Sequence, residues 1–408
     1  MCSSKFMKLF AFAVFLEMIS GAYPWFFWGI NTNYLFVLCT IISLLYVRKN
    51  KLKLNILSNY GLGFALLFMG TLLNVNSYSI NERVYQICSF IPMLVIVSDK
   101  DNGEEIYSTI AKWLSYLLVP SILLHLVFQV IGFPLSTIII NKNVPDSYVF
   151  FNYFILLKNI VTPDSIRFCS VFLEPGYLGT MLSFLLYVGR FNFEKKYNIV
   201  FLVALILTLS LAGFVIAALG WTLVKIQEGK SVKRLLQIVC VLGFIYYFGI
   251  NYNGGNNIFN NQILSRLQYD KENGISGNNR TSHMTDDYFD YYMQNGDILL
   301  GVGKQEVRKI NGGGTTGVGF NDQIRGAGYK IFFITNGVVE TIFILFGYLM
   351  FVSTMDRKYG YGFLLLIVLT FVQAAYPLST SWLIPFVFGC VLNSRYYENR
   401  YSDISSCS

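Results

Sequence analysis

The sequence predicts an all-α integral membrane protein of about 12 transmembrane helices with two large outward-facing loops. First, 54% of the 408 residues are hydrophobic and only 13% are charged, with a mean hydropathy of +0.50, whereas a soluble domain carries about a quarter charged residues. Second, the apolar residues form blocks of membrane-crossing length separated by short polar segments. Third, the basic residues concentrate in alternate segments between these blocks.

The apolar blocks place the spans in chain order. We predict spans near 7–28, 31–47, 55–75, 84–98, 112–135, 169–189, 198–210, 212–226, 235–251, 331–352, 361–378 and 381–394. The first block continues past Ser20 without a small-residue cleavage site, so we expect a retained span rather than a signal peptide.

The segment 198–226 is ambiguous, because it fits either one long helix or two short ones. Two spans with a turn near Ser210–Gly213 put 19 of the 31 Lys and Arg residues on the cytoplasmic side. Eight of the remaining 12 lie in one long loop, and the positive-inside rule applies only to short loops. A single helix would move the basic segment 225–234 outside. We therefore predict two spans, with both termini in the cytoplasm.

This topology predicts a single polytopic membrane domain over 1–408, with two substantial outer loops at 136–168 and 252–330. The sequence contains no P-loop, no dinucleotide fingerprint between a strand and a helix, and no internal repeat. An ATPase is therefore excluded within this chain, and we expect recognition or chemistry on the outer face. The net charge of +8 is explained by orientation in the membrane rather than by a nucleic-acid partner.

The stretch that enters the span near 169–189 is the most informative. We expect Arg167 at the outer end of that span and Glu174 about two helical turns deeper. Pro175 and Gly176 follow at once, and a break there would free backbone polar groups. An acid within a span usually faces a polar cavity. We interpret the stretch as functional; the alternative is a buried Arg–Glu pair that joins two helices.

The second outer loop offers further candidates. Thr281 or Ser282 is expected to cap a short helix that follows Arg280. Arg280 suits an anionic ligand, because guanidinium binds phosphate oxygens with two hydrogen bonds; a solvated loop charge is the alternative. His283 is a candidate base, against the alternative of an ordinary loop histidine. The glycine-rich run at 312–319 lacks the strand–helix context of a phosphate-binding loop.

No metal or cofactor is expected. Asp286 and Asp287 are adjacent acids in a polar loop, and the seven cysteines have neither metal-ligand spacing nor a disulfide pattern. His125 lies within a span and is expected to bond a neighbouring span. Two acids, Glu17 and Glu340, lie in other spans, where each would be bonded within the bundle or would line a cavity.

Four short motifs together resemble the Wzy-type O-antigen and capsular repeat-unit polymerases. In chain order they are Arg167–Phe168 with Phe172-Leu173-Glu174-Pro175-Gly176, the helix turn at Leu207–Gly213, Leu300–Gly303 downstream of an arginine, and Gly326–Lys330 with Asn336–Gly337. The resemblance covers the topology of most of the chain, but specific residues only at these places. The order of the motifs and their positions in the loops support it.

The resemblance implies an inverting glycosyltransferase on the periplasmic face of the bacterial inner membrane. Its substrates would be oligosaccharide units linked by pyrophosphate to undecaprenol, and the growing chain would pass to the non-reducing end of a new unit. Arg167 and Arg280 would stabilise the leaving pyrophosphate without a metal, and Glu174 or His283 would act as the base. Membrane lipid and a chain-length regulator protein are further partners that the resemblance suggests. Substrate binding would fall to Gly176, Gly301, Gly303, Tyr329 and Lys330.

Other classes share parts of this pattern. O-antigen ligases have the same architecture but resemble a form with a histidine shortly before the helix after the large loop; residues 325–330 contain none, which favours a polymerase. The Arg-x10-Gly pattern of polymerase loops is met from neither Arg167 nor Arg280. A repeat-unit flippase or other secondary transporter is the main rival, but such proteins tend to have short loops and internal repeats. A non-enzymatic assembly protein is the remaining alternative.

Overall fold

The computed structural model describes residues 4–54, 57–73, 79–140, 149–160, 166–228, 247, 250–257, 260, 269–270, 274–275, 283–296, 298–310, 328–373 and 382–393. This part of the chain is mostly helical. In chain order its helices are α1 Ser4–Ser20, α2 Thr32–Asn50, α3 Asn59–Leu73, α4 Ile80–Ser98, α5 Gly103–Ile131, α6 Pro175–Val188, α7 Lys196–Thr208, α8 Leu211–Gln227, α9 His283–Asn295, α10 Lys304–Ile310, α11 Gly328–Val352, α12 Arg357–Gln373 and α13 Trp382–Asn393.

Three of the described helices, α4, α5 and α11, are long and apolar enough to cross a membrane. Five more, α3, α6, α7, α8 and α13, are apolar but shorter. The outer surface is apolar as well: Leu123, Val130 and Ile131 of α5 are exposed by 59%, 85% and 70%. Exposed apolar surface on this scale is unfavourable in water. The helices therefore indicate association with a membrane.

The turn predicted within 198–226 is confirmed. α7 ends at Thr208, and Leu209 adopts a left-handed backbone conformation with φ of 47°. Ser210 then caps α8, because its hydroxyl accepts a hydrogen bond from the Gly213 N–H at 3.3 Å. Most other predicted spans also coincide with helices, and the predicted span 235–251 lies almost entirely outside the described residues.

The prediction for the start of the span 169–189 is wrong. The helix begins only at Pro175, and Glu174 is its N-cap residue, with an extended backbone (φ −137°, ψ 143°). Proline is favoured as the first helical residue, since the N–H that it lacks has no helical partner there. Glu174 therefore lies at the N-terminus of α6 rather than two helical turns inside it.

The predicted outer loop 136–168 contains a three-stranded antiparallel sheet, an element that the all-α prediction did not include. Its strands are β1 Thr137–Ile140, β2 Val149–Asn152 and β3 Leu157–Asn159, in the order β1-β2-β3. The turn between β2 and β3 is attached to the segments that follow α1 and α5: the Trp25 indole donates to the Phe154 carbonyl at 2.8 Å, and the Tyr153 hydroxyl donates to the Pro134 carbonyl at 2.5 Å. A two-stranded ribbon, β4 Tyr269–Asp270 and β5 Gly274–Ile275, lies in the second loop.

Glycines allow two helix pairs to pack closely. A Cβ atom at Gly213 of α8 would lie 3.0 Å from the backbone of Gly179 in α6, and the Ser183 hydroxyl donates to the Gly213 carbonyl at 2.7 Å. In the same way, Gly63 of α3 packs on Gly347 of α11. Small residues at helix contacts are typical of membrane bundles, where backbones must approach without a hydrophobic driving force.

Candidate functional site

Arg167 lies in an extended segment that is held against the turn between α7 and α8. The Phe168 N–H donates to the Leu207 carbonyl at 2.9 Å, and the Arg167 Nε donates to the Thr208 carbonyl at 3.1 Å. These carbonyls are available because the C-terminal turn of a helix leaves its last acceptors without helical partners. The Arg167 guanidinium is thereby oriented by the end of α7.

Glu174 and Gly176 lie beside this segment, at the start of α6. The Glu174 side chain makes no capping hydrogen bond and is half-buried. A Cβ at Gly176 would meet only the Glu174 carboxylate, at 3.9 Å, so no close contact requires glycine there. The packing around Gly176 therefore does not support a role for this glycine in substrate binding.

One further charged group that the sequence analysis did not select, Lys158, lies near this segment. Lys158 of β3, Arg167 and Glu174 all lie close enough to Cys169 to interact with it electrostatically. Lys158 also lies over the Phe133 ring, with its Nζ 4.7 Å from the ring centroid. Its position follows from the sheet, so sequence patterns for helices could not reveal it. Two cations and one acid thus share one neighbourhood, which we call the Arg167 cluster: Lys158, Arg167, Glu174.

His125 supports the same segment from α5. It is 3% exposed, is hydrogen-bonded to the backbone of Ile166, and its ring lies 5.3 Å from that of Phe168. The expected bond to a neighbouring span is therefore replaced by a bond to the extended segment before α6. The buried imidazole positions the backbone next to Arg167.

A second group of residues surrounds a break in α11. Gly337 has φ of 73° and ψ of −177°, which interrupts the helix. The segment 298–303 crosses this break and pairs with it: the Val302 and Gly303 N–H groups donate to Ile334 and Thr335, at 2.8 and 3.0 Å. In return, the Val338 and Val339 N–H groups donate to Ile298 and Leu299, at 2.9 and 3.1 Å. The backbone groups freed by the break are satisfied within the protein, as a membrane requires.

The glycines predicted in this region have a structural reason. Gly301 and Gly303 have φ of 76° and 85°, which side chains rarely adopt. A Cβ at Gly301 would lie 2.6 Å from the Thr335 carbonyl oxygen. Because both glycines are needed for the close crossing, their presence alone does not indicate a phosphate cradle.

Lys330 joins the second loop to α11. Its Nζ donates to the Asp286 carboxylate at 2.7 Å and lies 5.3 Å from the centroid of the Phe289 ring. Tyr329 contacts the same ring, at 6.3 Å. Asp286 thus forms an ion pair with α11, and in the described part of the chain no three His, Cys, Asp or Glu side chains cluster as metal ligands would. The described cysteines Cys39, Cys88, Cys169 and Cys390 are free thiols.

Some predicted residues cannot be placed. Arg280, both candidate capping residues and the glycine-rich run at 312–319 lie outside the described residues. His283 is the first residue of α9, so the predicted short helix is present.

Two acids are buried within the bundle, as predicted. Glu17 is fully buried and interacts electrostatically with Cys39. Glu340 is 1% exposed and lies one helical turn after Gly337, packed on Gly70 of α3. Neither Glu340 oxygen has a hydrogen-bond partner among the described residues, while Lys304 interacts with it electrostatically.

The Arg167 cluster and the break at Gly337 lie at the same end of the helical bundle. α6 and α12 are antiparallel: Tyr187 near the end of α6 stacks on Tyr359 near the start of α12, and Phe184, earlier in α6, contacts Phe363, later in α12, with ring centroids 5.5 Å apart. The end of α12 therefore returns to the level at which α6 begins. There Phe371 of α12 contacts Phe332 of α11, with ring centroids 5.2 Å apart. Polar groups from two distant parts of the sequence thus face the same side of the bundle.

Comparisons with protein-family models, with curated proteins and with solved structures find no significant match to this chain.

Proposed function

We propose that the protein is a surface-polysaccharide polymerase that joins undecaprenyl-pyrophosphate-linked oligosaccharide units on the outer face of the bacterial inner membrane. In this proposal about 12 helices span the membrane, both termini are cytoplasmic, and the loops 136–168 and 252–330 cover the site. The observation that carries the proposal is that the Arg167 cluster and the break at Gly337 lie at the same end of the bundle. A lipid-linked saccharide requires both an apolar bundle for its carrier and polar groups at one membrane face.

The proposed reaction is an inverting glycosyl transfer. A hydroxyl oxygen of the acceptor unit attacks the anomeric carbon of the donor chain from the side opposite the pyrophosphate. The bond between that carbon and the pyrophosphate oxygen breaks, and its electron pair leaves with undecaprenyl pyrophosphate. The hydroxyl proton passes to a base. The product is a longer chain on the acceptor's lipid carrier.

Cationic side chains would stabilise the leaving pyrophosphate. Arg167 is suited to this role, because its hydrogen bond to Thr208 fixes the guanidinium before substrate binds. We add Lys158 as a second cation, since it shares the neighbourhood of Cys169 with Arg167. Arg280 remains the proposed contribution of the second loop.

Glu174 and His283 remain the candidate bases. Glu174 is favoured over His283, because it lies at the start of α6 and, like Arg167, interacts electrostatically with Cys169. A carboxylate can accept the proton of the attacking hydroxyl as that hydroxyl becomes acidic in the transition state.

The residues around Gly337 would shape the site and hold the second loop over it. Lys330 and Tyr329 contact α9 through Asp286 and Phe289. Gly301 and Gly303 bring the loop backbone onto α11. We propose that this arrangement presents the second loop to the saccharide, with Tyr329 and Lys330 at the point where the loop enters α11.

A repeat-unit flippase is the second candidate, and one observation favours it. An interrupted helix with a buried acid beside the break, here Gly337 and Glu340, is a feature of secondary transporters. An O-antigen ligase is the alternative within the same architecture.

Polymer length in cells separates these functions. The gene for this protein is deleted, and the strain is complemented with wild type, Arg167→Ala, Lys158→Ala or Glu174→Ala. Its surface polysaccharide is then resolved on a gel. A polymerase predicts a single repeat without the protein, a full ladder with wild type, and a lost or shortened ladder with folded variants. If no repeat reaches the surface without the protein, the flippase or ligase is favoured. A normal ladder with all three variants would contradict the site assignment.

A further inference from the structure

A polar cavity of about 670 Å³ lies where α5 and α7 begin. It is lined by three lysines, Lys112, Lys195 and Lys196, and by four acids, among them Glu104 and Glu105. Because α5 and α7 both end near the Arg167 cluster, the cavity lies at the opposite end of the bundle. It is therefore separate from the site proposed for glycosyl transfer and does not depend on that proposal.

The cavity lies at the depth of a membrane surface. α5 has 29 residues and ends at Ile131, whereas the hydrocarbon core of a bilayer takes about 20 residues of helix. Counted back from Ile131, the hydrocarbon boundary falls near Lys112. Tyr116, one turn further in, is 68% exposed, as expected of an aromatic residue at the interface.

Two exposed apolar stripes run from the cavity along the helices. On α5 the stripe includes Leu123, Val127 and Val130, which are exposed by 59%, 50% and 85%. The stripe on α7 follows directly after Lys196, and its members Ile199, Val203 and Ile206 are exposed by 46%, 40% and 52%. Both stripes have helical spacing, so each forms one face of its helix.

The two helices pack against each other, and the ring of Tyr107 contacts that of Tyr197 at 6.3 Å in an edge-on arrangement. The apolar stripes are therefore neighbours. Together they form a surface on which a pair of acyl chains can lie below a polar headgroup.

We propose that the cavity binds the headgroup of a phospholipid that carries both a phosphate and a primary ammonium group, as phosphatidylethanolamine does. Lys112 and Lys196 bind the phosphate, and Glu104 and Glu105 accept hydrogen bonds from the ammonium. The acyl chains lie along the stripes of α5 and α7. A purely anionic headgroup is disfavoured, because it would face four acids without offering them a cation.

Lipid binding to the full-length protein tests this proposal. Purified, delipidated protein is titrated with phosphatidylethanolamine, phosphatidylglycerol and phosphatidylcholine, and bound lipid is counted by native mass spectrometry. We expect phosphatidylethanolamine to bind about tenfold more tightly than phosphatidylglycerol, the effect of one charge-assisted contact. Phosphatidylcholine should also bind more weakly, because its quaternary ammonium has no N–H. Equal affinity for all three lipids would overturn the proposal, and this comparison needs no variant.

Paired variants then assign the two charges. Lys112→Ala with Lys196→Ala should weaken binding of all three lipids, by about three- to tenfold. Glu104→Gln with Glu105→Gln should remove the preference for phosphatidylethanolamine; a preference that persists would contradict the role of the acids. Lys309→Ala with Glu306→Gln is the matched control, since this pair lies in the second loop.

Soluble phosphoethanolamine distinguishes a lipid site from a phosphate site. We expect it to displace bound phosphatidylethanolamine only at concentrations far above that of the lipid, because it lacks the acyl chains. Displacement at equal concentration would show that the stripes contribute nothing and would overturn the assignment to a lipid.

Discussion

Tyr187 and Tyr359 bind each other through a pair of reciprocal hydrogen bonds. The Tyr187 hydroxyl donates to the Tyr359 carbonyl at 3.0 Å, and the Tyr359 hydroxyl donates to the Tyr187 carbonyl at 3.2 Å. Their rings stack with centroids 4.8 Å apart, and Arg190 lies over the Tyr359 ring. This contact joins the end of α6 to the start of α12. Together with the contact of Phe184 with Phe363, it shows that the two helices are antiparallel.

Removing one of these hydroxyls should destabilise the bundle. Tyr187→Phe removes one buried hydrogen bond, the one to the Tyr359 carbonyl, and should cost about 0.5–1.5 kcal/mol. The measurement is the unfolding temperature in detergent, with Tyr361→Phe as control because Tyr361, on α12 near Tyr359, is 58% exposed. Equal unfolding temperatures for the two variants would contradict the reciprocal bond.

The break in α11 should not tolerate a side chain. Gly337→Ala places a Cβ 2.6 Å from the Gly301 nitrogen, at a φ of 73°. We expect it to displace the segment 298–303 and to cost about 1–3 kcal/mol or more. Gly29→Ala is the control, since a Cβ there meets nothing within 4 Å.

Proteolysis of the second loop measures this effect. Gly337→Ala should expose the loop to cleavage faster than wild type, whereas Gly29→Ala should not. If the loop of Gly337→Ala is cleaved no faster than that of wild type, the close contact between Gly337 and Gly301 is not needed to hold the loop in place.

The Lys330–Asp286 ion pair should hold α9 on α11. Its side chains are 19% and 42% exposed, so we expect a coupling of about 0.5–1 kcal/mol. A double-mutant cycle with Lys330→Met and Asp286→Asn measures it. The Lys309–Glu306 pair, with side chains 74% and 48% exposed, should show less coupling. Comparable coupling in the two pairs would mean that Lys330 does not anchor α9.

Lys158 should matter for activity through its charge. Lys158→Met keeps much of the packing on Phe133 but removes the cation, and we expect transfer to slow by about tenfold or more. Lys158→Arg should retain more activity than Lys158→Met. The measurement is the single-turnover rate of chain transfer, with Lys53→Met as control because Lys53 is an exposed residue of the connector after α2. Equal rates for Lys158→Met and wild type would exclude Lys158 from the site.

The sequence predicts those elements whose pattern is local. Hydropathy and the placement of basic residues place most helices, and together they divide 198–226 at Ser210. The late start of α6 could have been recognised from Pro175, since proline favours the first helical turn. The break at Gly337 is hidden, because apolar residues continue on both sides and the partner of the break, Gly301, lies far away in the chain.

The candidate site could be predicted only in part, because some of its contacts join residues that are distant in the chain. Arg167 and Glu174 are close in sequence, and both interact electrostatically with Cys169. Lys158 joins them because β3 contacts their segment: the Leu157 N–H donates to the Ser170 carbonyl at 2.8 Å, a contact that helical periodicity does not report. Lys330 was expected to bind substrate, whereas its contact in the structure is an ion pair with Asp286.

Chain transfer by the purified protein tests the central claim most directly. The full-length protein is reconstituted in vesicles with undecaprenyl-pyrophosphate-linked oligosaccharide, and both saccharide length and released undecaprenyl pyrophosphate are measured. We predict longer lipid-linked chains, with one undecaprenyl pyrophosphate released for each bond formed. Arg167→Ala should lower this rate by about a hundredfold or more, while Arg48→Ala, an exposed arginine at the far end of α2, should match wild type. Saccharides that cross the membrane or stay unchanged in length, without release of undecaprenyl pyrophosphate, would contradict a polymerase.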